Sequence, residues 1–292
     1  MAGIRRHRAH PETVERFVLH KIKGFWPELF VSVILAIGIY RYCGASAVEV
    51  ARQSYNTILS SLLLLKMTGV TPSLGDWNGP TWYLSSMVIG MSVAYLILRR
   101  YGTSAVSLIL SVGLCGYLLA ENGTLLGPYK WMGWTYAGNI RALAEILLGA
   151  FAWQGARWLT KRSLNVWMQM LLAMVKWLAI AFVFFISHVS WKAWDGACLV
   201  ALWCVIVIAF SGQSAERVVF QNRICLFLGA FSLPLYLSHR VWTFRLGAII
   251  DLSAMNRWEI LLLLGAFSVV SALITMGGAR ALRYFWKRNI SA

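Results

Sequence analysis

Residues 165–187 read NVWMQMLLAMVKWLAIAFVFFIS, and this stretch decides the class of fold. An α-helix rises about 1.5 Å per residue, so roughly 20 apolar residues cross the hydrocarbon core of a bilayer, which is about 30 Å thick. The stretch is long enough for such a crossing, and its one charged residue is Lys176. It predicts a transmembrane helix.

Seven further runs have a similar length and character. The predicted spans are 25–41, 81–98, 104–120, 140–158, 165–187, 195–211, 226–249 and 258–279. A shorter run, 57–69, carries Lys66 and predicts a re-entrant or interfacial helix rather than a span. The sequence therefore predicts an all-α fold, a polytopic bundle of about eight transmembrane helices plus this short helix. We expect residues 1–292 to form a single domain.

The composition excludes several classes of protein. Hydrophobic residues make up 59% of the chain and charged residues 13%, whereas soluble domains are roughly 45–50% apolar and about 25% charged. So apolar a chain is not intrinsically disordered. The five cysteines are an odd number, and the five histidines are scattered, so we expect neither a disulfide framework nor a metal site.

The basic residues predict an orientation rather than a nucleic-acid partner. The sequence pI is about 10.1, but the Lys and Arg residues are dispersed between apolar runs instead of forming one patch. Most of them fall in loops on one side of the membrane when both termini are cytoplasmic and run 57–69 does not cross. The positive-inside rule therefore favours a protein with its N- and C-termini inside.

His239 is the sharpest candidate for chemistry, since ionisable residues inside a membrane are costly. It lies in an otherwise apolar run, and Pro234 precedes it by five residues, which frees a backbone carbonyl to accept another donor. A buried imidazole there can act as a base near neutral pH. The alternative is a histidine that only holds the packing of neighbouring helices.

Polar and aromatic residues cluster where the span 81–98 begins. The candidates for binding a substrate are Asn78, Trp82, Tyr83 and Ser85. The amides that open a helix attract anions, and the cluster can line a polar cavity for a sugar-like acceptor. The commoner explanation for the two aromatic residues is an aromatic belt at the membrane interface.

Three other sets of charged residues have a functional and a structural interpretation. Arg141 and Glu145 are four residues apart on one predicted helix. They form either a functional intramembrane pair or an ion pair that stabilises the helix. Lys176 either snorkels or faces the protein interior. Lys21 and Lys23 are positive-inside anchors, or they attract a phosphorylated donor such as coenzyme A.

Three stretches occur in the order and rough spacing of motifs in a known family, the integral-membrane acyltransferase family 3, which includes O-antigen and exopolysaccharide O-acetylases. Residues 20–27, HKIKGFWP, are similar to the family's basic loop ending in Pro. Residues 78–85, NGPTWYLS, resemble its motif P-x-W-[SY]-L-S. Residues 228–239, LGAFSLPLYLSH, resemble L-G-x-[IF]-S-x-x-[IL]-Y-L-x-H.

The resemblance implies an acyltransferase in the cytoplasmic membrane of a bacterium. It implies transfer of an acyl group, expected to be acetyl, to a hydroxyl of an extracytoplasmic glycan or glycolipid. The expected donor substrate is acetyl-CoA, with no bound cofactor, and the expected partners are membrane lipid and the glycan acceptor. By resemblance, His239 occupies the late Y-L-x-H position and has a supporting role.

The chain also departs from the family pattern. No Arg or Lys stands eleven residues before any histidine, and the family's S-G-F span is absent. Ser86 and Met87 stand where many members have an acidic residue. The resemblance therefore implies an N-terminally incomplete member that lacks the first two family spans, and it leaves the activity of the chain as written open. Two alternatives remain: a transporter of small molecules or lipid-linked sugars, and a non-catalytic membrane partner.

Overall fold

The computed structural model describes residues 12–70, 79–125, 127–189 and 194–290, and this part of the chain is built from helices. The helices are α1 (Val14–Tyr42), α2 (Ala47–Thr57), α3 (Thr81–Tyr101), α4 (Ala105–Asn122), α5 (Ala137–Thr160), α6 (Val166–Val189), α7 (Asp195–Ser211), α8 (Arg217–Phe220), α9 (Arg223–Ser238), α10 (Arg240–Arg245) and α11 (Arg257–Ile290). A single β-bridge joins Trp131 and Tyr136, and no strand occurs in the described ranges. The predicted all-α fold is confirmed.

Each of the eight predicted spans coincides with helical structure. Six helical segments of the described chain are long and apolar enough to cross a membrane, judged by length and composition. They are Val14–Tyr42, Thr81–Tyr101, Ala105–Asn122, Val166–Val189, Arg223–Ala248 and Arg257–Arg288. The two remaining predicted spans correspond to α5 and to the shorter apolar helix α7, which has 17 residues. The chain is therefore a polytopic helix bundle.

Helix α5 carries three charged residues, Arg141, Glu145 and Arg157. It is also surrounded by protein, since it packs against α4 and α7. Six of its buried residues are alanines, whose small side chains allow close helix packing. Helix α6 is the opposite case, because only 11% of its apolar stretch is buried within the protein. The charge-bearing α5 therefore buries much of its surface in protein, whereas the apolar α6 leaves most of its surface exposed.

The predicted bounds of the short helix 57–69 are wrong. The helix lies earlier, as α2, and continues as a π-helical turn over Ile58–Leu62. Residues 63–70 are turns, and Leu64 has a φ of 57°, which a helix does not allow. The helix ends there because the backbone of residues 64 and 67 bonds to a side chain of α3 instead.

The described chain forms two compact units, each with its own core. Unit 1 comprises Met1–Phe17 and Ile89–Cys225, and unit 2 comprises Val18–Val88 and Leu226–Ala292. In unit 1, apolar residues of α3 and α5 pack around Leu98 and Leu147. In unit 2, residues of α1, α3 and α9 form a core that is described below with the site. The prediction of a single domain stays a prediction.

Candidate functional site

The three motif-like stretches meet in the core of unit 2. One buried apolar cluster contains Phe25 from the basic stretch, Leu84 from the start of α3 and Leu237 from α9. Leu29, Val33 and Leu64 complete it. Burying these side chains together is favourable at roughly 25 cal/mol per Å² of apolar surface. The hydrophobic effect therefore gathers stretches that lie far apart in the sequence.

Serine and threonine side chains fasten the start of α3 to the connection that precedes it. The Ser85 hydroxyl donates to the carbonyl of Leu64 at 2.6 Å and accepts from the amide of Met67 at 3.1 Å. The hydroxyls of Ser61 and Thr81 lie 2.8 Å apart. Because these groups are buried, each bond also avoids the cost of an unsatisfied polar atom. Ser85 thus holds the site together from inside rather than facing solvent.

Lys66 is a part of this region that the sequence did not indicate as a site residue. Only 1% of its surface is exposed. Its Nζ donates to the carbonyl oxygen of Gly79 at 3.2 Å, and its backbone amide donates to the carbonyl of Ser60 at 3.0 Å. The signal in the sequence was a single charge within an apolar run. Lys66 therefore links the end of the π-helical turn to the residues that open α3.

Tyr236 connects the α9 stretch to the α3 stretch directly. Its hydroxyl donates to the carbonyl oxygen of Pro80 at 3.0 Å, across 156 residues of sequence. Next to it, the Arg240 side chain covers Gly79 so closely that a Cβ at residue 79 would lie 2.6 Å from Arg240 Cδ. The Gly79–Pro80 segment is therefore held by Lys66 and Tyr236 and covered by Arg240.

His239 lies at the break between α9 and α10. Its Nδ1 is 2.9 Å from the carbonyl oxygen of Tyr236 and 3.2 Å from that of Leu235. The ring is half-buried and lies beside the ring of Tyr236, with centroids 6.2 Å apart. Pro234 does not end α9, which continues through it to Ser238. The structure thus brings His239 to the α3 stretch through its neighbour Tyr236.

Trp82 and Tyr83 form the aromatic edge of the same region. Both side chains are half-buried, and their rings make an edge-to-face contact with centroids 5.6 Å apart. Their positions follow directly on the Gly79–Pro80 segment. Asn78, the fourth predicted substrate-binding residue, lies outside the described residues.

Comparison with known proteins identifies the family. A family model described as an acyltransferase domain matches residues 7–277, which is most of the chain. The chain belongs to acyltransferase family 3. No curated protein and no solved structure gives a match.

In this acyltransferase family 3 chain, Lys21 and Lys23 lie on the exposed surface of α1. Nearby, Arg283 of α11 donates to the carbonyl of Gly24 at 2.8 Å and to the carboxylate of Glu28 at 2.6 Å. The ion pair joins the two long helices of unit 2. The basic stretch therefore presents its lysines outward while its Gly24–Glu28 part is tied to α11.

The predicted pair Arg141 and Glu145 belongs to unit 1 and not to the region around Gly79. Arg141 Nε donates to Glu145 Oε1 at 2.7 Å within α5. Both side chains are about a quarter exposed, at 27% and 23%. The two charges therefore satisfy each other, which is the structural interpretation of this pair.

Lys176 also has a charged partner within unit 1. It is buried and forms an ion pair with Glu216, in the connection between α7 and α8. Burial opposes ionisation of Glu216, but hydrogen bonds from Lys176 and from the backbone outweigh it and hold the pKa of this carboxyl below its ordinary value. The aromatic ring of Phe220 lies 5.1 Å from Lys176 Nζ. Lys176 thus faces protein and is neutralised there.

The described part of this family member contains no cluster of potential metal ligands. Among residues 12–70, 79–125, 127–189 and 194–290, no group of three or more His, Cys, Asp or Glu residues is placed to hold a metal ion. The described side chains of the region around Gly79 offer hydroxyl, imidazole and ammonium groups.

Proposed function

We propose that this family member transfers an acetyl group from acetyl-CoA to a hydroxyl of an extracytoplasmic glycan or glycolipid, in the cytoplasmic membrane of a bacterium. Membership of the acyltransferase family and six candidate spans support a membrane acyltransferase. The acetyl group, the glycan acceptor and the orientation with both termini inside belong to the proposal.

The meeting of the family-like stretches in unit 2 carries the assignment of the site. The hydrogen bond from Tyr236 to the Pro80 carbonyl joins two of the three family-like stretches, and the buried cluster of Phe25, Leu84 and Leu237 includes all three. Catalytic and binding groups must be held within a fraction of an ångström of their working positions. Stretches fixed by buried hydrogen bonds and a shared core meet that requirement.

The proposed acceptor contacts are Asn78, Trp82, Tyr83 and Ser85. The half-buried Trp82 and Tyr83 offer apolar ring faces with polar tips, a combination that suits sugars. Ser85 orders the segment by bonding to the Leu64 carbonyl and the Met67 amide. We assign it to positioning within this set, since its hydroxyl is already used.

The proposed donor contacts are Lys21 and Lys23, whose side chains are exposed on α1. Their ammonium groups would attract the phosphates of acetyl-CoA from the cytoplasmic side. In the reaction, the acceptor hydroxyl oxygen attacks the thioester carbonyl carbon, and the carbon–sulfur bond breaks. The thiol of coenzyme A leaves with the proton that the hydroxyl gives up. His239 supports this step by its position beside Tyr236.

The test is acetyl transfer by membrane vesicles that contain the full chain. Vesicles are incubated with acetyl-labelled acetyl-CoA, and label in extracted glycans and glycolipids is measured. We expect Tyr236→Phe to lower transfer by about tenfold, since misplacement by about 1 Å can cost up to 10²-fold. Tyr284→Phe is the matched control, because this tyrosine is 64% exposed on α11. Wild-type vesicles that incorporate no label above empty membranes would contradict the proposed function.

A further inference from the structure

We infer that His239 is held as the Nδ1–H tautomer, and that its Nε2 accepts a hydrogen bond from the hydroxyl that is to be acylated. The inference rests on the proposed function, because that function supplies the hydroxyl. The role of Nε2 is to orient the acceptor hydroxyl. In the ground state the hydroxyl keeps its proton.

The tautomer follows from the partners of Nδ1. This atom lies within hydrogen-bond distance of two oxygens, 2.9 Å from the Tyr236 carbonyl and 3.2 Å from the Leu235 carbonyl. A carbonyl oxygen only accepts hydrogen bonds, so a favourable contact requires a proton on Nδ1. An unprotonated Nδ1 would place its lone pair against two oxygen lone pairs.

The state of Nε2 follows from that of Nδ1. A neutral imidazole carries one N–H, so a proton on Nδ1 leaves a lone pair on Nε2. In the part of the chain that the structure describes, Nε2 makes no hydrogen bond, and both ring contacts of His239 with polar atoms involve Nδ1. The ring is half-buried, so Nε2 is not sealed inside the core. It is an acceptor held in place with its hydrogen-bonding capacity unused.

The surroundings of the ring identify the kind of ligand. His239 lies beside Tyr236, which bonds to the Pro80 carbonyl at the start of the segment that carries Trp82 and Tyr83. Only a group with an O–H or N–H satisfies an acceptor such as Nε2. An acceptor hydroxyl is such a group, whereas an ionised carboxylate or a fully ionised phosphate is not. The proximity of Tyr236 and of the proposed acceptor contacts therefore favours the acceptor hydroxyl as the group bound by Nε2.

Two substitutions separate the two ring nitrogens. The amide of Asn is as many bonds from Cβ as Nδ1 is, so His239→Asn can keep the bond to the Tyr236 carbonyl while it removes Nε2. The amide of Gln reaches as far as Nε2, so His239→Gln restores an acceptor oxygen there and gives up the Nδ1 bond. Acetyl transfer is measured in vesicles with labelled acetyl-CoA. Thermal unfolding in detergent shows whether each variant is folded.

We expect His239→Asn to lower transfer about 10²-fold and His239→Gln to lower it less than tenfold, because only Gln can still orient the hydroxyl. The reverse order would overturn the inference and make the Nδ1 bond, and with it local structure, the role of His239. A loss of 10²-fold or more in both folded variants would also overturn it, since it would indicate proton removal by the ring.

The tautomer itself is measured without any turnover. Nitrogen-15 NMR of the chain with labelled histidine, compared with the His239→Gln spectrum, isolates the two ring signals of His239. We expect a protonated Nδ1 and an unprotonated Nε2 at neutral pH. An Nε2–H tautomer or a doubly protonated ring would overturn the inference. If wild-type vesicles transfer no acetyl group, the proposed function fails, and this spectrum still decides the tautomer.

Discussion

Both units contain ion pairs, and unit 2 also anchors a buried lysine on a backbone carbonyl next to the candidate site. In unit 1, opposite charges pair with each other, as Arg141 does with Glu145 and Lys176 with Glu216. In unit 2, the cation Lys66 donates to a backbone carbonyl next to residues of the family-like stretches. An ion pair neutralises both of its charges, and the bond from Lys66 also fixes the segment that opens α3. A charge within a membrane protein therefore indicates a functional site only when the partner of that charge is known.

Lys66→Met gives the largest expected effect and sharpens the comparison. The substitution removes the donor to the Gly79 carbonyl and keeps an unbranched side chain. We expect acetyl transfer to fall about 10²-fold, because the start of α3 loses one of its anchors.

Lys130→Met is the matched control for Lys66→Met. Lys130 belongs to unit 1 and also donates to a backbone carbonyl, that of Glu121 at 2.6 Å, but its surroundings are exposed. We expect its transfer rate to equal that of the wild type. Equal losses of activity in the two variants would remove the distinction between the units.

Lys176→Met tests the claim that the ion pairs of unit 1 are structural. The substitution leaves Glu216 without its cation, and breaking a buried pair costs about 3–5 kcal/mol. We expect the loss of unfolding free energy to lie near the lower end of this range. It is measured by thermal unfolding in detergent. The double variant Lys176→Met with Glu216→Gln should recover most of this stability, and its folded fraction should transfer acetyl at the wild-type rate. A double variant as unstable as the single one would contradict the pairing.

Two glycines of the α3 region provide a comparison of steric effects. In unit 1, a Cβ at Gly90 would lie 3.0 Å from the Leu143 backbone nitrogen, so α5 has to move. We expect Gly90→Ala to cost about 1–3 kcal/mol of stability. In unit 2, the neighbour of Gly79 is the exposed side chain of Arg240, which can swing away. Gly79→Ala should therefore shift the unfolding midpoint less than Gly90→Ala, and the opposite order would be inconsistent with these contacts.

The smallest expected effect is the loss of folding stability at low pH. The pKa of Glu216 lies below its ordinary value of 4.5, so its ionised form stabilises the fold above about that pH, and this contribution is lost as the pH falls through the lowered pKa. Hydrogen bonds from the Ser253 hydroxyl and amide likewise lower the pKa of Asp251, but this carboxyl is fully exposed.

The check is the unfolding midpoint of each variant between about pH 6 and about pH 3. Glu216→Gln should flatten the loss of stability in acid, and Asp251→Asn should leave it nearly unchanged. The same flattening in both variants would show that pairing with Lys176 adds nothing.

The sequence predicted the parts of the fold that depend on local composition. Apolar runs such as 165–187 contain within themselves the length and hydropathy that a membrane helix needs. The bounds of 57–69 were predicted wrongly because its end depends on Ser85, a side chain about twenty residues away that bonds to the Leu64 carbonyl. The hydrophobic pattern of the run itself contains no information about this distant bond.

The predicted site residues were gathered only in part, for a similar reason. His239, Trp82, Tyr83 and Ser85 belong to unit 2 because their motifs pack together. Lys66 was read only as a reason against a span, since its role depends on the Gly79 carbonyl. The partner of Lys176 lies 40 residues further along the chain, at Glu216, and no helical spacing indicates it.

The central claim is that the α9 stretch and the start of α3 form one site, and photo-crosslinking from position 236 tests it most directly. A benzophenone amino acid replaces Tyr236 in the full chain, membranes are irradiated, and the adduct is mapped by mass spectrometry against an unirradiated sample. The hydroxyl of Tyr236 lies 3.0 Å from the Pro80 carbonyl oxygen, so we predict an adduct in the peptide that contains Gly79 and Pro80. Adducts confined to lipid or to other peptides would contradict the account.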